Sequence, residues 1–130
     1  MKNKFMTRAI ELSIESVNTG GGPFGSVIVK DEKIIAEGFN KVTSTNDPTA
    51  HGEIVAIRKA CKSLNNFNLS GCELYSTCEP CPMCLSAIYW AHIDKVSYAN
   101  TRDDAKKIDF DDSLRSEEHT SELQSRETTS

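Results

Sequence analysis

Four residues able to do chemistry fall into two short runs, His51-Gly52-Glu53 and Pro80-Cys81-Pro82-Met83-Cys84. Two cysteines three apart at the start of a helix share one face within a turn, so Cys81 and Cys84 can chelate a single ion. An imidazole and two thiolates suit Zn²⁺, and three protein ligands leave its fourth position open to water. One neutral imidazole and two thiolates cancel the charge of the ion. Such a centre acidifies water less than a three-histidine site, where the water pKa falls to ~7. A neighbouring base must finish the deprotonation. Glu53 is read here as the one carboxylate close in sequence to a ligand, placed to take a water proton and pass it to a substrate and a leaving group.

Plainer readings stand beside this one. Cys78 lies three residues before Cys81, so His51, Cys78, Cys81 and Cys84 could instead form a closed, structural Cys3His site. A redox role for the Cys78-Glu79-Pro80-Cys81-Pro82-Met83-Cys84 run is disfavoured by its helical context, which suits metal binding better. Cys61 and Cys72 read as small buried hydrophobes, and His92 and His119 as ordinary core or surface histidines. Five cysteines, an odd number grouped at metal spacing, fit a reducing compartment rather than a disulfide scaffold.

The elements that must position these side chains follow from periodicity. Leu85, Ala87, Ile88, Trp90 and Ala91 predict a short buried helix, with Pro82 suited to its first position and the thiolates at its positive end. Glu53, Ile54, Ala56, Ile57, Ala60, Cys61 and Leu64 predict a second helix opened by His51. Phe5, Met6, Ala9, Ile10, Ser13, Ile14 and Val17 predict an N-terminal helix ending near Gly20. Residues 20–25 are a glycine-rich turn whose Phe24 either presents a ring to a flat ligand or simply packs within a connector. Residues 26–30 and 33–39 read as a hairpin around Asp31-Glu32, residues 40–50 as irregular chain, and residues 73–77 and 95–99 as strands. Helix, strand, helix, strand from residue 51 onward implies a three-layer α/β/α domain with a central mixed sheet and a ligand site at strand carboxyl ends.

A chain of 130 residues with a net charge of −4 and a pI near 5.4 offers no basic footprint for nucleic acid or anionic membrane. No apolar run reaches membrane-spanning length and the start lacks a signal-peptide core, which places the chain in the cytoplasm. Residues 115–130 contain one large apolar residue, Leu123, and no burying period. They read as a disordered terminus or as non-native sequence, since residues 115–125 match the conceptual translation of a common sequencing adapter. We expect residues 1–114 to form the domain, incomplete at its C-terminus, and residues 115–130 to be non-native.

His-x-Glu followed by Pro-Cys-x-x-Cys is the signature of zinc-dependent nucleobase deaminases. With Gly21-Gly22-Pro23-Phe24-Gly25, Asn46-Asp47-Pro48-Thr49-Ala50-His51, Ile88-Tyr89-Trp90-Ala91 and Phe110-Asp111-Asp112-Ser113, it makes residues 1–114 resemble the bacterial guanine deaminases of the cytidine-deaminase-like superfamily. Asp47-Pro48-Thr49-Ala50-His51 also resembles the tRNA adenosine deaminases, so the Tyr89-Trp90 and 110–113 blocks carry the guanine reading. The resemblance implies a cytidine-deaminase-like fold with Zn²⁺ on His51, Cys81 and Cys84 and proton transfer by Glu53. It also implies purine hydrogen bonds from Asn40 and Asp112, and a pocket formed with Phe24 and Trp90. The implied reaction is hydrolysis of guanine at C2 to xanthine and ammonia. Other bases, cytosine or tRNA adenosine, are the alternative substrates. The implied assembly is a homodimer that exchanges a C-terminal extension absent from this chain. Gly52 stands where the family usually has alanine, a difference of up to ~1 kcal/mol in helix propensity.

Overall fold

A computed structural model of the chain describes residues 3–101, and the features expected at Asp112, Phe110 and residues 115–130 lie outside the described residues. The first helix, α1 (Lys4–Asn18), is capped by Asn3, whose side chain accepts from the Phe5 and Met6 N–H groups at 2.8 and 3.1 Å. That satisfies two of the donors a helix start leaves open. Its inner face carries Phe5, Ala9, Leu12, Ser13 and Ser16, the three-to-four spacing expected of an amphipathic helix.

Four strands follow the hairpin and crossover reading: β1 (Gly25–Lys30), β2 (Lys33–Phe39), β3 (Cys72–Cys78) and β4 (Lys95–Asn100). They form one mixed sheet in the order β2-β1-β3-β4, antiparallel except for the parallel pair β3·β4. The β1–β2 turn places both Asp31 and Glu32 at positive φ, as a two-residue hairpin loop requires. Alternation assigns the two sheet faces. Val27, Val29 and Tyr75 pack with Phe5 and Leu12 of α1. Ile28, Ala36 and Leu74 pack on the other side with Ala56 and Ala60 of α3 (Gly52–Leu64) and Ile88 and Ala91 of α4 (Pro82–Ala91). Helices on both faces make the expected three layers, and explain why β1 is buried along nearly its whole length. Each fully buried Ile or Leu contributes ~1.5–3 kcal/mol of transfer free energy. Cys72 and the half-buried Cys61 belong to this second core, as small hydrophobes.

Residues 40–50 depart from the expectation of irregular chain. A single turn, α2 (Val42–Thr45), closes on Asn46 in the left-handed conformation, and the Asn40 side chain accepts from the Val42 N–H at 2.9 Å. Four residues are too few to show a period, so no pattern could reveal it. Among the described residues no helix is long and apolar enough to cross a membrane.

The sheet brings the site together through its register. Gly25 pairs with Phe39 and Cys78 with Asn100, so the start of β1 and the ends of β2, β3 and β4 share one edge. Phe24, Asn40 and the starts of α3 and α4 converge there. The approach is close. A Cβ at Gly38 would stand 2.5 Å from the Gly52 carbonyl oxygen and 2.7 Å from the Ala56 nitrogen, so α3 seats directly on β2 backbone.

Candidate active site

His51 and Cys81 are the N-cap residues of α3 and α4, and neither side chain makes a capping hydrogen bond. Such positions ordinarily favour Ser, Thr, Asp or Asn. Here both cap side chains turn to each other instead. The His51 Nδ1 lies 3.6 Å from the Cys81 sulfur and 3.6 Å from the Cys84 sulfur. The ligating atoms of His51, Cys81 and Cys84 all fall within 4.8 Å of one another, and the three could hold a metal ion. A tetrahedral Zn²⁺ with bonds of ~2.3 Å to sulfur and ~2.0–2.1 Å to nitrogen keeps such ligands ~3.6 Å apart, so the donor set fits the ion in both kind and spacing.

The electrostatics agree with a cation site. The Cys84 thiol donates toward Cys81 and, with His51, pushes the Cys81 thiol down to about 4, while Cys84 is pushed up by the same bond and by burial. One proton held between two sulfurs is what a divalent ion displaces. Two helix N-termini add partial positive charge beside the thiolates. The chain entering His51 is held locally. Asp47 accepts from the Thr49 N–H and hydroxyl at 2.9 and 2.7 Å, and Arg58, from the second turn of α3, reaches Asp47 at 3.2 Å.

Glu53 sits in the first turn of α3 with 7% of its surface exposed. Burial pushes its carboxyl above the ordinary range. Isolation from solvent at a metal group suits a residue that carries protons rather than one that serves as a surface charge. Glu79 corrects the expectation that Glu53 is the one carboxylate near a ligand. It is two residues from Cys81, 5% exposed, and its backbone N–H donates to the Asn100 carbonyl, linking the β3 end to β4.

Cys78 ends β3, buried, and is not a member of the three-donor group, so the closed Cys3His alternative does not form among the described residues. Asn40 and Phe24 border the Gly21-Gly22 turn at the sheet edge from which α3 and α4 start: a Cβ at Gly21 would lie 3.4 Å from the Asn40 carbonyl, and one at Gly22 would strike the Phe24 ring at 2.7 Å. Trp90 lies near the end of α4. It stands eight residues beyond Pro82, ~12 Å along the axis of α4, and is 73% exposed beside an equally exposed Tyr89. Its helical period fits burial, but the buried face of α4 is taken by Cys84, Ile88 and Ala91. His92 is the left-handed C-cap of α4, a structural place consistent with its plain reading.

Sequence reasoning missed the buried hydroxyls around the site. Ser26 and Ser76 lie on the α3 side of adjacent strands with their oxygens 3.5 Å apart, and Ser76 donates to the Cys78 carbonyl at 2.8 Å. Thr77 and Ser16 face the other layer, against the turn that carries Phe24. Isolated serines and threonines in apolar runs carry no periodic signal, and their role emerges only once the strands are paired.

The cytidine and deoxycytidylate deaminase zinc-binding region matches residues 1–100. A guanine deaminase of Bacillus subtilis (strain 168) is 60% identical over 111 residues, covering 85% of this chain and 71% of that protein. The X-ray structure of guanine deaminase from Bacillus subtilis matches with a TM-score of 0.82 at 58% identity, over 88% of this chain and 74% of that one. A tRNA-specific adenosine deaminase of Aquifex aeolicus (strain VF5) is 42% identical over 98 residues, covering 75% of this chain and 65% of that protein. A motif with one unspent carboxylate, a donor set at zinc spacing and a fold shared over most of the chain converge on one answer: the chain belongs to the cytidine and deoxycytidylate deaminase family of zinc-dependent aminohydrolases.

Proposed function

We propose that the protein hydrolyses guanine to xanthine and ammonia at a centre built from His51, Cys81, Cys84 and Glu53. The observation that carries the reaction type is the three-donor group with a buried carboxylate in the adjoining helix turn and no fourth protein ligand among the described residues. The substrate follows from kinship, 60% identity to a guanine deaminase against 42% to a tRNA adenosine deaminase.

His51, Cys81 and Cys84 hold the zinc, which when bound acidifies water and fixes its position. Glu53 would take a proton from the attacking water as the water oxygen bonds to C2 of the base, and deliver it to N3. Glu53 would then carry the proton of the new C2 hydroxyl to the amino group, so that the C2 carbonyl forms as the C2–N bond breaks and ammonia leaves. Asn40, with its Oδ1 occupied by the Val42 N–H, offers Nδ2 donors to the purine edge. Asp112 adds an acceptor there, and the Phe24 ring covers one face of the base. Trp90 and Tyr89, exposed together on α4, belong in this reading to the contact between two copies in a homodimer.

The zinc-loaded protein should release ammonia from guanine, with xanthine as co-product, and at a rate insensitive to moderate salt. Binding of tRNA would depend steeply on salt through phosphate contacts. Turnover of a tRNA anticodon loop or cytosine with none of guanine sinks the substrate assignment.

A further inference from the structure

Resting on the reading of Phe24 as a face for the base, we propose that Thr77 and Ser16 are positioning residues that clamp the Phe24 turn from two different elements. The turn joins α1 to β1 and contains three glycines and a proline, so little in its own sequence fixes it. Yet five backbone polar groups in residues 21–25 are tied. Ser16, fully buried, donates its hydroxyl to the Gly22 carbonyl at 2.7 Å, and its own carbonyl accepts from the Gly21 N–H at 2.8 Å. The Gly22 carbonyl also accepts from the Phe24 N–H at 2.8 Å, closing a three-residue turn over Pro23. Thr77, 3% exposed, accepts from the Gly25 N–H at 3.1 Å and donates to the Pro23 carbonyl at 3.3 Å.

The sheet register shows why a side chain does this work. The β1–β3 ladder runs out at Ser26 opposite Ser76, so backbone pairing stops one residue short of Gly25. The Thr77 hydroxyl, acting as both acceptor and donor, takes over where the ladder ends and holds the residues on either side of Phe24. Steric fit completes the clamp. A Cβ at Gly21 would meet the Ser16 hydroxyl at 2.6 Å, and one at Gly22 would meet the Phe24 ring at 2.7 Å, so the turn seats on Ser16 and the ring folds over bare backbone. Both hydroxyls bond to the turn on the α1 side of the sheet, opposite the face on which α3 and α4 carry the donors. Their effect should therefore fall on base binding and not on proton transfer.

Thr77→Val keeps the volume and removes both hydrogen bonds. In the zinc-loaded full chain it should raise KM for guanine about tenfold with kcat nearly unchanged, equivalent to ~1.4 kcal/mol of lost binding. Amide exchange across residues 21–25 should quicken, zinc content should hold, and Thr77→Ser should restore KM. Ser16→Ala, on the opposite element, is read the same way if Val at position 77 prevents folding. Phe24→Ala tests the underlying contact separately and should raise KM at least as much. Unchanged exchange in both hydroxyl variants, or a loss of kcat and zinc with KM constant, overturns the clamp. Faster exchange with an unaltered KM in Thr77→Val and a raised KM in Phe24→Ala overturns its role in positioning. An unaltered KM in Phe24→Ala instead overturns the reading of the ring.

Discussion

Glu53 and the three donors are neighbours in space for different reasons, and their substitutions should separate accordingly. His51 and Cys81 occupy helix N-caps, Cys84 follows one turn later, and Glu53 is buried in the first turn of α3 without belonging to the donor group. Glu53→Gln should therefore keep stoichiometric zinc and lose ~10²–10⁴-fold in kcat, the range typical of general acid–base catalysis. Cys81→Ala should lose the metal itself. Metal analysis beside steady-state rates distinguishes the two, and full activity in Glu53→Gln would leave the proton shuttle without a carrier. The ligands were legible in the sequence because each pair is local: His51 with Glu53, Cys81 with Cys84. Asn40, Phe24 and Thr77 come from three separate segments that only the strand register places together, so no spacing along the chain points to them. Glu79 stands as close to Cys81 in sequence as Glu53 does to His51, so its proximity was legible and only its burial needed the structure.

At the scale of elements, α3 begins badly as a helix and well as a ligand platform. Its cap is a histidine that makes no capping bond, and its first residue is glycine. A Cβ at Gly52 would meet only ordinary contacts, 3.4 Å to the Gly38 oxygen and 3.5 Å to the Ser26 oxygen. Gly52→Ala should thus stabilise the fold by up to ~1 kcal/mol and leave zinc binding intact. Gly38→Ala should do the reverse, since its Cβ would press within 2.5 Å of the Gly52 carbonyl. Pushing α3 off β2 should cost ~1–3 kcal/mol and weaken zinc retention, because the same turn carries His51 and Glu53. Denaturant midpoints with zinc titration on the pair check both signs. Equal effects would mean that α3 does not rest on β2 as described. The helices and strands themselves were readable from periods of 3.6 and 2. The seat of α3 was not, since close backbone approach shows in sequence only as one more glycine.

Across the molecule, among the described residues, one long-range tie joins layers and another joins helices within a layer. Arg8 on α1 grips Glu37 on β2 with both ends of its guanidinium, at 2.7 and 3.0 Å, across 29 residues of sequence. The Arg8 hydrogen bond holds the Glu37 carboxyl below its usual range. A lowered folded-state pKa contributes stability that is present above the unfolded value of ~4.3 and is lost as pH falls through the folded value, so Glu37→Gln should flatten the acid limb of the stability curve. An unchanged limb would assign no stability to the tie. The second tie is the metal, which joins the starts of α3 and α4, helices packed in the same layer. Binding to the folded state alone stabilises by ~4.1 kcal/mol when free zinc exceeds its Kd a thousandfold. For a chain of this size that predicts a fall in Tm of roughly 10 °C or more on chelation. Cys84→Ala, already without its buried ligand, should melt low and be indifferent to chelator. A wild-type melting temperature that chelation does not move would mean that the three donors do not bind the metal to the folded chain.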